Sequence, residues 1–412
     1  MNINALPRAF VATDGRYELQ IPTIGTTFAL DRLRTERDGL IAELTVRCAL
    51  PGVRTYDGIL SAGDFNVSSV TARTTRANLL EKRSGAGDVD WAGCLEELCL
   101  RTITAEREGA DSIDLRDVDP PAPDDTFSVL GFTLPRSHPA ILFGDGGSAK
   151  SYLGLYILGR LAQAGVRVGL FDWELDAADH RSRLGLLFGD DLPPVEYTRC
   201  DRALVHDVDR LRRIVRLKGI EYGLFDSVGF AAVGAPETAE AALGYFAAAR
   251  RLGIGGIHTA HITKAEGGDR RPFGSAYWHN SARATWFLKR ADESSRGEID
   301  LGVFQRKANL GEIRAPFCVR LTFRPGHVQV LQTDAADVQE FAQKLPLAQR
   351  IRPLLAGGPL TIHELAEELD ANADSIEKAL KRGSGKTFQR LDGHDGVARW
   401  GNRERVYQEQ AS

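Results

Sequence analysis

Little in this sequence is given over to cross-links, membrane crossing or bulk charge. Five cysteines are spread over 412 residues, at positions 48, 94, 99, 200 and 318. None of their spacings is that of a zinc site, and Cys94 and Cys99 stand too far apart for a CxxC pair. A disulfide scaffold, a zinc fold and a dithiol redox centre are thereby excluded, and reduced thiols buried in a core are expected. No apolar run approaches the roughly 18 residues that a membrane span needs, and no signal-peptide pattern opens the sequence. The expectation is a soluble, cytoplasmic protein with no membrane partner. An excess of one charge is lacking too: 52 basic against 56 acidic residues leave a formal net charge of −4. A surface that attracts polyanions everywhere is excluded, so any such contact must come from local basic patches.

What is present is an ordered phosphate-binding pattern. Pro139–Phe143 is an apolar run that reads as a buried parallel strand, and Tyr152–Leu158 carries helical apolar spacing. Between them stand Gly144, Asp145, Gly146, Gly147, Ser148, Ala149, Lys150 and Ser151. Strand, glycine-rich loop, lysine and helix in that order form a P-loop, whose N–H groups and helix N-terminus direct positive partial charge at phosphates. Lys150 would reach the β- and γ-phosphates of ATP, and the Ser151 hydroxyl would ligate Mg²⁺. One departure stands out. Ala149 occupies the position where the pattern has glycine, and a methyl there crowds the approach of backbone to phosphate.

A chain this long is expected to hold two or three domains, and no internal repeat is visible. Residues 1–115 read as an α+β domain of unknown role, with strands at 17–21 and 39–46 and a helix opening at Asp90. Residues 116–126 are a linker rich in proline and acid. Residues 127–334 alternate strand and helix and finish with four strands joined by short turns. That block predicts a parallel sheet covered on both faces and completed by antiparallel strands, an order closer to the RecA-type ATPase core than to the adenylate-kinase type. Residues 345–402 read as three helices and a hairpin, with a capping box at Thr361–Glu364, which is winged helix-turn-helix anatomy.

Two carboxylates suit the phosphate site. Asp226 ends the apolar run Tyr222–Phe225, on a strand read as adjacent to that of the P-loop, and would hold Mg²⁺ through water. Glu174, just past the end of another strand, would accept a proton from the attacking water, although Asp172 and Asp176 lie close in sequence. His261 ends a further strand, where a polar group can sense the γ-phosphate. The loop beyond it carries Lys264, Arg270 and Arg271 and is either a strand-binding loop or a merely solvated one.

Taken together, the P-loop, Asp172-Trp173-Glu174, Phe225-Asp226-Ser227, Ala260–Lys264, Gly274–Arg283 and Lys307-Ala308-Asn309 resemble the RepA-type hexameric helicase branch of the RecA-fold ATPases. The resemblance covers about half the chain. It implies a hexameric ring of identical subunits that hydrolyses ATP between neighbours and draws single-stranded DNA through its centre. It also implies that Arg283 reaches the neighbouring subunit's ATP site, and that Lys307 serves as a second basic finger. In the last domain Lys378, Lys381, Arg382, Lys386 and Arg390 fall together with no acid among residues 378–391, a pattern suited to phosphate contacts, as on duplex DNA, or to protein docking. The alternative to a translocase is an ATP-dependent regulatory or loading switch that binds DNA through the winged helix without moving along it.

Overall fold

The computed structural model describes residues 8–13, 15–37, 39–109, 112–120, 125–262, 272–273, 276–292, 296–309, 311–335, 341, 345–392 and 397–403. The chain divides into two compact units, Met1–Pro123 with His206–Arg216, and Asp124–Val205 with Leu217–Ser412.

The first unit is built on an antiparallel sheet in chain order: β1 (Ala9–Thr13), β2 (Arg16–Ile21), β3 (Thr26–Glu36), β4 (Gly39–Cys48) and β5 (Ile59–Asn66). Strict alternation makes the sheet one-sided. Tyr17, Leu19 and Ile21 on β2 and Ala42, Leu44 and Val46 on β4 are buried, while their neighbours are not. Two helices, α1 (Val70–Ser84) and α2 (Trp91–Glu108), contribute Leu80, Trp91, Leu95 and Leu98 to the same core. Each begins on a side-chain cap, Ser69 accepting from the Ala72 N–H and Asp90 from the Gly93 N–H.

The second unit opens with a hairpin, β6 (Thr126–Val129) and β7 (Phe132–Pro135). There follow β8 (Pro139–Gly144), α3 (Lys150–Gln163), β9 (Val168–Asp172), α4 (Ala177–Phe188) and β10 (Val195–Arg199). The chain then runs through α5 (Leu204–Lys218), most of which groups with the first unit. Next come β11 (Tyr222–Asp226), α6 (Val228–Ala231), α7 (Ala239–Arg251), β12 (Gly255–His261), α8 (Ala276–Ser281), β13 (Ala284–Arg290), β14 (Glu298–Ala308), β15 (Phe317–Arg324) and β16 (His327–Asp334). Strands β8 to β16 form one nine-stranded sheet in the order β10-β9-β11-β12-β8-β13-β14-β15-β16. The first six in that order run parallel and the last three join antiparallel.

Two details depart from the sequence reading. β13 pairs parallel with β8 instead of opening the antiparallel part, because the connection from β12 contains α8 and is long enough for a crossover. β11 is also not the neighbour of β8, since β12 lies between them. The central strands are apolar throughout, every residue of β8, β9 and β11 being buried. They pack beneath Leu153, Leu155 and Leu158 of α3. Gly154 lets that helix settle closely, for a Cβ there would stand 2.9 Å from a Leu224 methyl. Close docking of α3 brings its first turn, and with it Lys150, to the carboxyl edge of the sheet.

The remaining described elements are α9 (Leu347–Ala356), α10 (Ile362–Glu368), α11 (Ala373–Gly383), β17 (Phe388–Asp392) and β18 (Ala398–Asn402). Ile351, Leu355, Leu365, Ile376, Leu380, Phe388 and Trp400 form their core. The Thr361–Glu364 capping box is present in both directions. All five cysteines are buried, and none forms a disulfide. Among the described residues no helix is long and apolar enough to cross a membrane.

Candidate functional site

β8 delivers Gly144 to the carboxyl edge of the sheet, opposite His261 on β12 and Leu288 on β13. A side chain cannot enter there: a Cβ on Gly144 would lie 2.4 Å from the Leu288 carbonyl oxygen. The loop then turns through two left-handed residues, Gly147 at φ +73° and Ala149 at φ +51°. This shows why glycine is usual at position 149. An alanine held there costs about 1–2 kcal/mol of backbone strain, a burden separate from any crowding of phosphate. Ala149 is also the N-cap of α3 and offers no side-chain cap, so the first N–H groups of the helix stay directed into the loop.

Lys150 is buried, 7 % exposed, and its ammonium donates to the carbonyl oxygens of Gly144 (3.1 Å) and Asp145 (2.8 Å) and to Ser148 Oγ (3.3 Å). Burial lowers its pKa to about 8, although Asp226, Glu174 and Asp145 pull the other way. Asp226 is 2 % exposed; Oδ1 accepts from Thr259 Oγ1 at 2.5 Å, and Oδ2 has no hydrogen-bond partner among the described residues. A buried carboxylate oxygen left without a donor is unfavourable unless a cation or water completes it. With the Ser151 hydroxyl it offers the hard oxygen donors that Mg²⁺ takes, so the residues present fit that ion. Lys150, Ser151, Glu174, Asp226 and His261, all named from sequence, line one cavity of about 180 Å³.

The three acids after β9 separate by environment. Asp172 is fully buried, and Oδ1 accepts from the Glu174 N–H (2.9 Å) and the Leu175 N–H (3.0 Å). Burial by itself would raise its pKa; the nearby His180 ring, those two amides and the Tyr197 hydroxyl reverse this and bring it down to about 2. Asp176 caps α4 through the Asp179 N–H. Of the three, Glu174 alone faces the cavity. The histidines separate too. His258 is fully buried, stacked on Phe225 and bonded through Nδ1 to the Tyr245 hydroxyl at 2.7 Å. His261 reaches the cavity, where burial and the charge of Lys150 lower its pKa.

Four further residues line the cavity to which the sequence reading gave no role: Tyr152, Arg183, Ser227 and Thr259. Thr259 sits two positions before His261 on β12, so the period of two places both on one face and would have named it. Arg183 lies on α4 with its guanidinium carbon 5.0 Å from the centre of the Tyr152 ring. Its signal was weaker, since α4 itself was not foreseen.

Arg283 and Lys307 lie at the other edge. The Arg283 N–H donates to the Pro139 carbonyl at the start of β8, and Lys307 pairs with Thr285 at the start of β13. The length of β8, roughly 16 Å at about 3.3 Å per residue, separates them from the loop. Lys307 donates to the carbonyls of His279 (3.2 Å) and Asn280 (2.7 Å) at the end of α8, and burial together with Arg283 lowers its pKa. Arg283 is exposed, and its guanidinium makes no hydrogen bond or ion pair among the described residues. Lys264, Arg270 and Arg271 lie outside the described residues. Lys378, Lys381, Arg382, Lys386 and Arg390 are all exposed on α11, β17 and the turn between them. Lys381 pairs with Glu377 at 2.7 Å and Arg390 with Asp392 at 3.9 Å, so two of the five are partly neutralised.

No family model matches this sequence, and no curated protein does. Among solved structures the chain is similar to a KaiC-like protein from the hyperthermophilic archaeon Pyrococcus horikoshii OT3. The identity is 18 %, over 48 % of this chain and 90 % of that one, with a TM-score of 0.37. It is also similar to a second solved structure, an ATPase domain, at 14 % identity over 47 % of this chain and 84 % of that one, with a TM-score of 0.37. Likeness of that degree carries no inference about chemistry.

Two outcomes are expected. The Lys150 pKa of about 8 lies below its ordinary 10.5, so between those values the unfolded chain holds a proton that the folded chain lacks, and stability rises with pH across that window. A polyphosphate placed at the ammonium would restore the proton. MgATP binding near pH 9 is therefore expected to take up close to one proton, read by calorimetry in buffers of different ionisation heat, and Lys150→Met is expected to abolish the uptake. Separately, Ala149→Gly should raise the urea midpoint by the equivalent of about 1 kcal/mol. A midpoint that falls would show that the left-handed alanine carries no strain.

Proposed function

We propose that this chain is an ATPase with a RecA-like core that assembles head to tail into a ring, hydrolyses ATP where two copies meet and moves single-stranded nucleic acid. The observation that carries the reading is the split of the machinery between two edges of one sheet. Loop, lysine, metal-binding carboxylate and general base meet at the carboxyl edge, whereas the uncommitted Arg283 stands roughly 16 Å away at the other. Within one copy it is far from the phosphates, and on a neighbour it can meet them.

Lys150 leaves the loop carbonyls to engage the β- and γ-phosphates, and the α3 N–H groups bind the anion. Ser151, and Asp226 through water, would hold Mg²⁺, which would supply neutralising charge to the triphosphate. Glu174 takes a proton from the attacking water. Arg183 stays with the nucleotide of its own copy, and Arg283 of the adjoining copy spreads positive charge over the transferring phosphoryl group. Lys307, already committed to the end of α8, holds the turn that carries Arg283. His261, in register with Gly144, links the phosphate site to the segment after β12, where Lys264, Arg270 and Arg271 contact the strand. Residues 345–402 act as a winged helix, with the exposed cations of α11 and β17 against phosphates.

Two measurements test this. ATP turnover should rise with single-stranded DNA and vanish in Lys150→Ala, while Glu174→Gln should keep nucleotide binding and lose about 10²–10⁴-fold in turnover. A switch that does not translocate would instead bind duplex DNA equally well in Glu174→Gln and show no response to single strands. Mixing Arg283→Ala with Glu174→Gln copies should recover part of the activity that each lacks alone. No recovery at equal assembly would place the arginine elsewhere, and a monomer indifferent to MgATP would end the ATPase reading.

A further inference from the structure

The residue that aims Glu174 can be read from the network behind it. Asp172 ends β9 in register with Asp226 on one side and Arg199 on the other, and its carboxylate is sealed from solvent. While Oδ1 holds the Glu174 and Leu175 amides, Oδ2 accepts from the Tyr197 hydroxyl at 2.9 Å and faces Arg199 Nη1 at 3.4 Å. The same Arg199 nitrogen donates to the Leu175 carbonyl. Residue 175 is thus gripped at its N–H by the anion and at its C=O by the cation. On the other side of Glu174, the Trp173 N–H donates to the Asp226 carbonyl (2.8 Å), and its indole N–H donates to the Arg202 carbonyl (2.7 Å). Both neighbours of Glu174 are therefore fixed, while its own carboxylate is exposed and accepts no hydrogen bond among the described residues. His180, on the helix that also carries Arg183, adds its Nε2 at 3.5 Å from Oδ1.

We propose that Asp172 and Arg199 form a positioning clamp whose task is to hold the Glu174 carboxylate over the phosphate cavity. The proposal rests on the ATPase reading for its consequence, though not for its geometry. Asp172 does not line the cavity, so it acts through the main chain of residues 174 and 175. A fully buried carboxylate is an expensive way to pin one turn, and it gives a stiffness that a solvated cap would not. Displacement of a base by about 1 Å is enough to lose on the order of 10²-fold in rate.

Asp172→Asn keeps an oxygen for the two amides but turns an NH₂ toward Tyr197 and Arg199, so the clamp loses its anion. The expected result is a fall in kcat of about 10²-fold with KM for ATP nearly unchanged. Placed in the Glu174→Gln background, Asp172→Asn should cost nothing further, because its effect passes through Glu174. A full second loss in that background, or a loss carried by KM, would overturn the clamp. A second reading is independent of turnover. Hydrogen exchange of the peptide spanning 173–176 should accelerate in Asp172→Asn and in Arg199→Lys, with exchange in β11 unaltered. Arg199 is partly exposed, so its variant serves if Asp172→Asn does not fold. Should wild-type protein fail to hydrolyse ATP, the ATPase reading falls, and exchange alone decides the clamp: unchanged exchange in both variants refutes it.

Discussion

A cation taken out of water governs the cavity at the carboxyl edge of the large sheet. Lys150 is buried at the head of α3 with its ammonium turned onto main-chain oxygens of its own loop, and among the described residues no carboxylate touches it. Burial without an ion-pair partner is tolerable only if the loop stays folded around the charge and if a better anion can replace those oxygens. Both conditions explain neighbouring features. Gly144 must be glycine so that β13 can pass close, and the loop must reverse sharply enough to aim its carbonyls inward. The acids are set near enough to steady the charge by field but not to neutralise it. Asp226 spends one oxygen on Thr259, and Glu174 stands at the cavity wall with its carboxylate open.

The sheet converts these local demands into a layout. Parallel strands present all their carboxyl ends at one edge, so a loop after β8, an acid ending β11, an acid just after β9 and a histidine ending β12 converge without contact in sequence. Insertion of β12 between β8 and β11 gives Thr259 its place beneath Asp226. The antiparallel strands β14 to β16 extend the same sheet, and the start of β13 carries Arg283 to the opposite edge.

Much of this was legible in the residues. The P-loop announced itself, and the ends of the long apolar runs gave Asp226, Glu174 and His261, because a run that stops at a polar residue marks where a buried strand emerges. What escaped had weak periodicity. β10, Val195–Arg199, is a half-polar outer strand of five residues, and α4 alternates charge and small side chains, so neither produced a clean pattern. Arg183 went unseen with α4. The direction of β13 was misread since antiparallel strands on short turns and a strand reached by a crossover look alike when each is only an apolar run. Glu174 was preferred to Asp172 and Asp176 for its place just past a strand end, but the different surroundings of the three acids became visible only in the structure.

Under the proposed reading, the opposed placement of Lys150 and Arg283 makes each copy directional, with one receiving edge and one giving edge. Contacts of that kind are heterologous. A row of such copies always leaves its last cavity unfinished, however many join, and only closure of the row gives every subunit a complete complement. Under the proposed reading, partial assemblies would therefore bind nucleotide throughout yet hold one idle member, and the fraction of idle members would shrink to zero only when the circle shuts.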